Sequence, residues 1–295
     1  MSDKSALARI DLKILVCDRS RYINNLWSQF GLSVLIDCYW DNGEKKRILF
    51  DSGWESDPLL HNMGKLNISV ESIDSLVLSH CHYDHTGGLK KLINDETAKF
   101  KLFAHKEVTR PVYSLKPEIH YIGIDEKLIL QLPRERLILL VNETEIYPEI
   151  HMTGTVPRIT DFEKPEEDVY ILDNGILIED PEKDDMALVF DLGESGIVVV
   201  TGCSHAGIAN TLYHSINITN NKNILGVVGG FHLIDLSPEV RRRTIEELEK
   251  FDIANIWSGH CTGFEAEYML RERFGTRHGM FYTGDVIKFT AKKNE

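Results

Sequence analysis

The chain has 295 residues, of which 42% are hydrophobic and 27% charged, as in ordinary globular proteins with a sizeable core. Its net charge of −13 excludes a general nucleic-acid binder, because such proteins need a basic surface. No apolar run reaches signal-peptide or membrane-span length, so we expect a cytoplasmic protein that does not enter a membrane.

The first third of the chain predicts strands alternating with short helices. Apolar runs over 12–18, 32–40 and 46–53 predict strands, the last two joined by a turn at Asn42-Gly43. Asp57-Pro58 predicts the start of a helix over 57–66. A short buried strand over 75–80 then leads into a helix over 85–95, and a further strand is predicted over 99–105.

The last third repeats this alternation. A tight hairpin is predicted over 186–192 and 197–203, followed by strands over 223–233 and 253–263 and helices over 237–251 and 265–275. Ser237 is expected to cap the first of these helices. Four apolar strands run into loops that carry histidine, which predicts a layered α/β fold with its chemistry at strand ends.

The chain lacks a linker or repeat that would divide it, so we predict a single domain over 1–295. An insertion or lid is expected around 106–185, because residues 161–185 hold eleven Asp or Glu against two Lys. This acidic segment is either a solvated surface or a lid over a site.

The segment LVLSHCHYDHTGGL, over 76–89, is the most specific motif of the sequence. His80 and His82 alternate along an extended backbone, so both imidazoles can face one point. Asp84 and His85 follow where the chain turns, and histidine with carboxylate suits zinc, iron or manganese. Gly87-Gly88 permits close backbone approach, and Asp51, at the end of the preceding strand, is the candidate acceptor for the other nitrogen of one ligand histidine.

Together with RILFDSG, TGTVPR, TGCSHAGI, GGFHL and SGHCTG, this motif resembles the metallo-β-lactamase superfamily, over about 30–285. The order of the blocks is similar to the branch of dihydropterin-ribofuranosylaminobenzene phosphate synthases. The resemblance implies an αββα four-layer sandwich with one or two divalent metal ions. Zinc is expected first, and manganese, magnesium or iron are the alternatives.

The superfamily pattern implies one metal site with His80, His82 and a later histidine, and another with Asp84, His85 and a last histidine, His260. The sequence departs from the pattern around the hairpin, and two assignments stay open. Either His205 is the third imidazole of the first site, or Asp185 is its ligand and His205 or Cys203 forms the bridge. Asp84 is also expected to act in catalysis.

The remaining motifs offer two further candidates. His232, in GGFHL, is either another metal ligand or a group that contacts the substrate in catalysis. Arg158, in TGTVPR, is the candidate for binding a phosphate, because its guanidinium matches phosphate oxygens. Cys81 and Cys261 are expected to be packing residues. The five cysteines form no CxxC pair, which favours free thiols over disulfides.

Three functions are compatible with these residues. The branch resemblance implies a transferase that joins a dihydropterin diphosphate to a ribofuranosyl-aminobenzene phosphate with loss of pyrophosphate. The superfamily also implies the alternative of a hydrolase of a phosphate ester or cyclic ester, and a third reading is a redox or binding protein. In the first two cases the partner is a small phosphorylated substrate. The oligomeric state stays open.

Overall fold

The computed structural model describes residues 5–22 and 25–292. The strands, in chain order, are β1 Leu7–Val16, β2 Ser33–Trp40, β3 Lys45–Phe50, β4 Ser75–Val77, β5 Lys101–His105, β6 Val112–Ser114, β7 His120–Tyr121, β8 Leu137–Leu140, β9 Thr144–Tyr147, β10 Ile150–Met152, β11 Val169–Asp173, β12 Ile176–Glu179, β13 Ala187–Asp191, β14 Ile197–Thr201, β15 Ile224–Gly229, β16 Ile256–Ser258, β17 His278–Met280 and β18 Val286–Thr290. The α-helices are α1 Ser56–Lys65, α2 Tyr83–Thr86, α3 Leu89–Ile93, α4 Glu126–Leu130, α5 Ile208–Thr219, α6 Pro238–Leu248 and α7 Phe264–Phe274.

Two seven-stranded sheets form the centre of the molecule. The first has the order β18-β1-β2-β3-β4-β5-β8, and the second has the order β17-β16-β15-β14-β13-β10-β9. In the second sheet β14, β15 and β16 are parallel neighbours, and in the first sheet β3 and β4 are parallel. The carboxyl ends of neighbouring parallel strands therefore meet at one edge, which is where α/β folds place their sites.

Alternating side chains create the four layers. In β14, Val198 and Val200 face the first sheet, whereas Ile197 and Val199 face the helices. The outer layer of the second sheet is formed by α5, α6 and α7, and that of the first sheet includes α1 and α3. Strands buried on both faces explain the continuous apolar runs in the sequence. The predicted αββα sandwich is confirmed.

Most predicted elements occur close to their expected positions, and the helix predicted over 85–95 is wrong as one element. It is divided into α2 and α3 at Gly87-Gly88, where a side chain on Gly88 would come within 2.1 Å of the Ser52 carbonyl oxygen. The Gly88 amide donates to the Gly53 carbonyl at 3.2 Å and not to the preceding helical turn, so the helical hydrogen bonds are interrupted there. Ser237 caps α6 as predicted, since its hydroxyl accepts a hydrogen bond from the Val240 amide.

The region 106–185 contains a structure that the sequence analysis missed. The strands β6, β7, β11 and β12 form a third, antiparallel sheet in the order β12-β11-β6-β7. Five acidic residues of the segment 161–185 are buried rather than solvated: Glu163, Asp180, Glu182, Asp184 and Asp185. Glu163 accepts hydrogen bonds from the Ala209 and Asn210 amides, both at 2.9 Å, and so ties this segment to the start of α5.

None of the helices within the described ranges has the length and apolar character that crossing a membrane requires. All five cysteines are free and buried, in agreement with the prediction of free thiols.

Candidate metal centre

The site lies where strand ends from both central sheets meet. The loop after β4 carries His80, His82, Asp84 and His85, and Asp51 follows β3. From the second sheet, loops after β14, β15 and β16 bring the remaining candidates: Cys203, His205, His232 and His260. Every histidine singled out for the site in the sequence is therefore located in this one region, and all of these side chains except His232 are buried.

One group of donor atoms consists of Asp84, His85, Cys203 and His260. His85 Nε2 lies 3.2 Å from His260 Nε2 and 3.0 Å from Cys203 Sγ. Asp84 Oδ2 lies 3.2 Å from His260 Nε2 and 3.4 Å from His85 Nε2. Tetrahedral zinc with bonds of about 2.0–2.3 Å would hold its donors about 3.3–3.8 Å apart. The observed spacing is close to that range.

A second group of donors adjoins the first. His80 Nε2 lies 3.2 Å from His205 Nε2, and Cys203 is close to both. His82 and Asp84 also lie within reach of His80. Cys203 and Asp84 thus belong to both groups and occupy the position between them.

The opposite ring nitrogen of three histidines has a hydrogen-bond partner, and that of His205 lies within ion-pair distance of two carboxylates. His85 Nδ1 donates to Asp51 Oδ2 at 2.7 Å, which is the contact predicted for Asp51, and His260 Nδ1 donates to Asp18 Oδ1 at 3.1 Å. His80 Nδ1 lies 2.8 Å from Ser79 Oγ. His205 Nδ1 lies 2.8 Å from Glu166 Oε1 and 3.1 Å from Glu182 Oε1. Such partners orient histidines whose Nε2 atoms bind a metal.

Two further observations show that these side chains are suited to bind a metal ion. His82 Nε2 is buried without a hydrogen-bond partner, and burial together with His205 lowers the pKa of His82 to about 3, which keeps the imidazole in its ligand form. Burial alone would lower the pKa of His85, but the carboxylates of Asp84 and Asp51 raise it to about 9. The surrounding carboxylates therefore favour a positive charge at the centre.

The ionisation of Asp84 supports the same conclusion. Burial alone would raise the pKa of Asp84, but His85 and His260 hold it well below its usual range. The carboxylate is therefore anionic, as a metal ligand must be.

The backbone that carries the donors is strained. Four non-glycine residues at strand ends have positive φ: Asp51 at 59°, Ser204 at 62°, His232 at 44° and His260 at 50°. Such conformations cost roughly 1–3 kcal/mol each and cluster at functional sites. Gly202 permits the two sheets to approach, because a side chain there would come within 2.2 Å of Ser79 Oγ.

Asp185 is not among the converging donors of the described residues. Its Oδ2 accepts a hydrogen bond from the Ala206 amide at 2.9 Å, and burial raises the pKa of Asp185 to about 6. The neighbouring Asp184 accepts from the Cys81 amide at 2.9 Å and pairs with Arg110. Both carboxylates thus contact the backbone of the donor loops.

His232 lies beside the centre, and its Nε2 contacts Glu166. Its ring is 4.3 Å from that of His205, and it forms a further possible donor group with Cys203 and Cys261. Cys261 accepts a hydrogen bond from the His232 amide at 3.3 Å. Both assignments of His232 from the sequence remain compatible with this position.

A cavity of about 1060 Å³ opens onto the donors. One wall is formed by residues 162–169 of the acidic segment, and another by Phe30 and Tyr83. Arg158 is not part of its lining, because its guanidinium pairs with Glu182 at 2.8 Å. Its role in phosphate binding stays a prediction.

Four contacts of the donor histidines were missed in the sequence. Asp18 could have been found, since it ends an apolar strand just as Asp51 does. Ser79, Glu166 and Glu182 give no local signal. The two glutamates come from the acidic segment, and only the tertiary fold brings them to His205.

Comparison with known proteins agrees with this geometry. The sequence profile of the metallo-β-lactamase superfamily matches residues 29–207. The chain is 36% identical over 286 residues to the 7,8-dihydropterin-6-methyl-4-(β-D-ribofuranosyl)-aminobenzene-5′-phosphate synthase of Methanocaldococcus jannaschii, which covers 95% of this chain and 97% of the relative. It is also 36% identical to an uncharacterized protein of the same organism, covering 86% of this chain and 91% of that protein.

Among solved structures, Tm1679, a metal-dependent hydrolase of the β-lactamase superfamily, superimposes with a TM-score of 0.80 and 28% identity. The match covers 95% of this chain and 99% of Tm1679. The predicted enzyme class is confirmed by these relationships. The chain belongs to the metallo-β-lactamase superfamily and, within it, to the family of the Methanocaldococcus jannaschii synthase.

Proposed function

We propose that the protein joins a dihydropterin diphosphate to a ribofuranosyl-aminobenzene phosphate and releases pyrophosphate. The observation that carries this proposal is the identity of 36% with the Methanocaldococcus jannaschii synthase over nearly the whole of both chains. The cavity supports it. Its volume of about 1060 Å³ is at the upper end of pockets that hold one small molecule, of roughly 300–1000 Å³, and leaves room for two substrates.

Two sets of side chains would hold the divalent ions. One set is His80, His82 and His205, the other is Asp84, His85 and His260, and Cys203 lies between them with Asp84 beside it. The position of His205 opposite His80 favours it over Asp185 as the ligand. Imidazole with thiolate suits zinc better than magnesium or manganese. Divalent ions held there would neutralise the charge of a diphosphate leaving group.

The protein's own groups account for positioning and proton transfer. In the reaction, the arylamine attacks the methylene carbon of the pterin, and the bond from that carbon to the diphosphate oxygen breaks with the electron pair on pyrophosphate. The attacking amine loses a proton. His232 lines the cavity, and although burial alone would lower its pKa, the contact with Glu166 raises it to about 10. It is therefore the candidate to contact the substrate and donate a proton to the departing pyrophosphate, while the proton of the amine passes to solvent. Asp84 lies between the two donor groups and is the further candidate for a catalytic role.

The phosphate of the arylamine requires a cation. Lys116 and Lys164 line the cavity, whereas Arg158 is bound to Glu182. Lys116 pairs with Asp168. Lys164 is exposed in the lining, so it is a second candidate beside Arg158 for the phosphate contact.

The alternative is a hydrolase of a phosphate ester or cyclic ester. One observation favours it: Tm1679, with a TM-score of 0.80, is a hydrolase. The same donors would serve that reaction, with water in place of the arylamine.

Pyrophosphate release from dihydropterin diphosphate by the metal-loaded protein distinguishes the two functions. We expect release only when the arylamine phosphate is present, together with a coupled product. Release without the arylamine would favour the hydrolase. Absence of release in both reactions would contradict the transferase.

A further inference from the structure

An aromatic cluster lies at the mouth of the cavity, beside the metal centre. Phe30 and Trp54 are exposed to 46% and 44% of their surface, and Tyr83 is partly buried between them and the donor loop. The ring of Trp54 is 5.5 Å from Tyr83 and 6.1 Å from Phe30. Phe30 and Tyr83 line the cavity, and Trp54 supports both. Exposed apolar surface of this extent at a cavity mouth is typical of a binding site.

The cluster is fixed to the donors. The ring of Phe30 is 5.5 Å from that of His260. The amide of Gly31 donates to Asp18 Oδ1 at 3.0 Å, and the same oxygen accepts from His260 Nδ1. A side chain on Gly31 would come within 2.1 Å of the Asp84 carbonyl oxygen, so the loop lies directly on the donor loop. Phe30 therefore has a set position relative to His260 and Asp84.

We propose that Phe30 and Tyr83, supported by Trp54, form the subsite for the flat pterin ring. This inference rests on the proposed function, because the pterin carries its diphosphate one methylene away from the ring. If the diphosphate lies at the donors, the ring must lie immediately beside them. Phe30 and Tyr83 are aromatic residues of the cavity lining in that position, whereas Phe231, also in the lining, is almost fully buried. Aromatic side chains bind flat heterocycles through stacking and edge contacts.

Another part of the cavity wall has a different chemistry. Lys164 and Lys116 are located there, on and beside residues 162–169. These cations suit the phosphate of the arylamine, which lies at the end of that substrate remote from the reacting amine. The aromatic cluster and the lysines thus divide the cavity between the two substrates.

The test is equilibrium binding of 6-hydroxymethyl-7,8-dihydropterin to the metal-loaded protein, measured by calorimetry. This probe has the ring without the diphosphate. We expect Phe30→Leu to weaken binding roughly 10-fold, as loss of a stacking partner does, and Phe30→Tyr to restore it. Phe264→Leu is the matched control, since Phe264 is 72% exposed and lies outside the cavity lining. Equal binding by Phe30→Leu and the wild type would overturn the subsite.

Steady-state kinetics separates the subsite from the reaction. Phe30→Leu should raise the KM for dihydropterin diphosphate by a similar factor and leave the KM for the arylamine phosphate unchanged. A wild type that binds the pterin alcohol in a Phe30-dependent way but releases no pyrophosphate would refute the reaction and support the subsite. Turnover that is indifferent to Phe30 would refute the subsite alone.

Discussion

The two halves of the metal centre are assembled in different ways. The first half places His80, His82, Asp84 and His85 on a single segment after β4, the last two at the short helix α2. The second half collects Cys203, His205 and His260 from loops after two different strands. Local backbone geometry determines the first set, whereas the register of parallel strands determines the second. The first set is therefore visible as a contiguous motif in the sequence, whereas the second set is brought together only by the fold.

The largest loss of bound metal and activity is expected when a donor histidine of the contiguous segment is replaced. His85→Ala removes the imidazole that lies next to Asp84, Cys203 and His260, so bound metal and activity should both be lost. Since loss of an outer partner alone costs about 10- to 100-fold, we expect a decrease in turnover of more than about 100-fold. Metal analysis and turnover measure this, with His61→Ala as a control outside the centre. Retention of full metal content would remove His85 from the ligand set.

A smaller loss of bound metal is expected when a donor of the second, dispersed half of the centre is replaced. His205→Ala should bind about one metal ion fewer than the wild type, because His205 Nε2 faces His80 Nε2. Asp185→Ala should keep the full metal content, since Asp185 accepts a backbone hydrogen bond instead. Metal stoichiometry after dialysis measures both variants. The opposite pattern would make Asp185 the ligand.

Two cysteines show that a residue close to the donors in the chain is not necessarily close to them in space. Cys81 stands between His80 and His82 in the chain, but Cys203 is the thiol that belongs to both groups of donors, with Cys261 beside it. In the cobalt-substituted protein, Cys203→Ser should abolish the thiolate-to-cobalt charge-transfer absorption, and Cys81→Ser should retain it. If Cys81→Ser alone removed the band, the bridging position of Cys203 would be refuted.

The smallest expected effect is a change in the KM for the arylamine phosphate. Lys164→Met should raise the KM for the arylamine phosphate about 10-fold, the loss expected for one hydrogen bond to a charged group. Arg158→Met should instead lower the free energy of unfolding by roughly 3 kcal/mol, because it leaves Glu182 without its guanidinium partner. Kinetics and thermal unfolding of both variants measure the difference. A KM effect confined to Arg158→Met would restore the assignment made from the sequence.

Much of the fold was predictable from the sequence because its central strands are buried on both faces. The apolar runs of β2, β3 and β14 are visible as continuous segments, and the hairpin of β13 and β14 has its expected position. The third sheet was not predicted. Its strands are short and largely exposed, and β12 is exposed along its whole length, so they lack the alternation of buried and exposed positions by which strands are recognised.

The site was predictable to the extent that its residues follow strands. His260 and His205 end apolar runs, and so does Asp51. Glu166 and Glu182 could not be found, since they belong to a segment whose acidic composition is equally typical of a solvated surface. The contacts of that segment with the start of α5, through Glu163, and with His205, through Glu166 and Glu182, show that it is packed against the centre.

The crossover connections of the second sheet have a consequence for evolution. The loops that carry Cys203, His232 and His260 are fixed by the pairing of β14, β15 and β16, while α5 and α6 pass over the outer face between them. Insertions or deletions in those outer connections would change the number of residues between ligands without moving the ligands. Distant relatives are therefore better aligned by their strands than by ligand spacing, and enzymes with quite different spacings can share this centre.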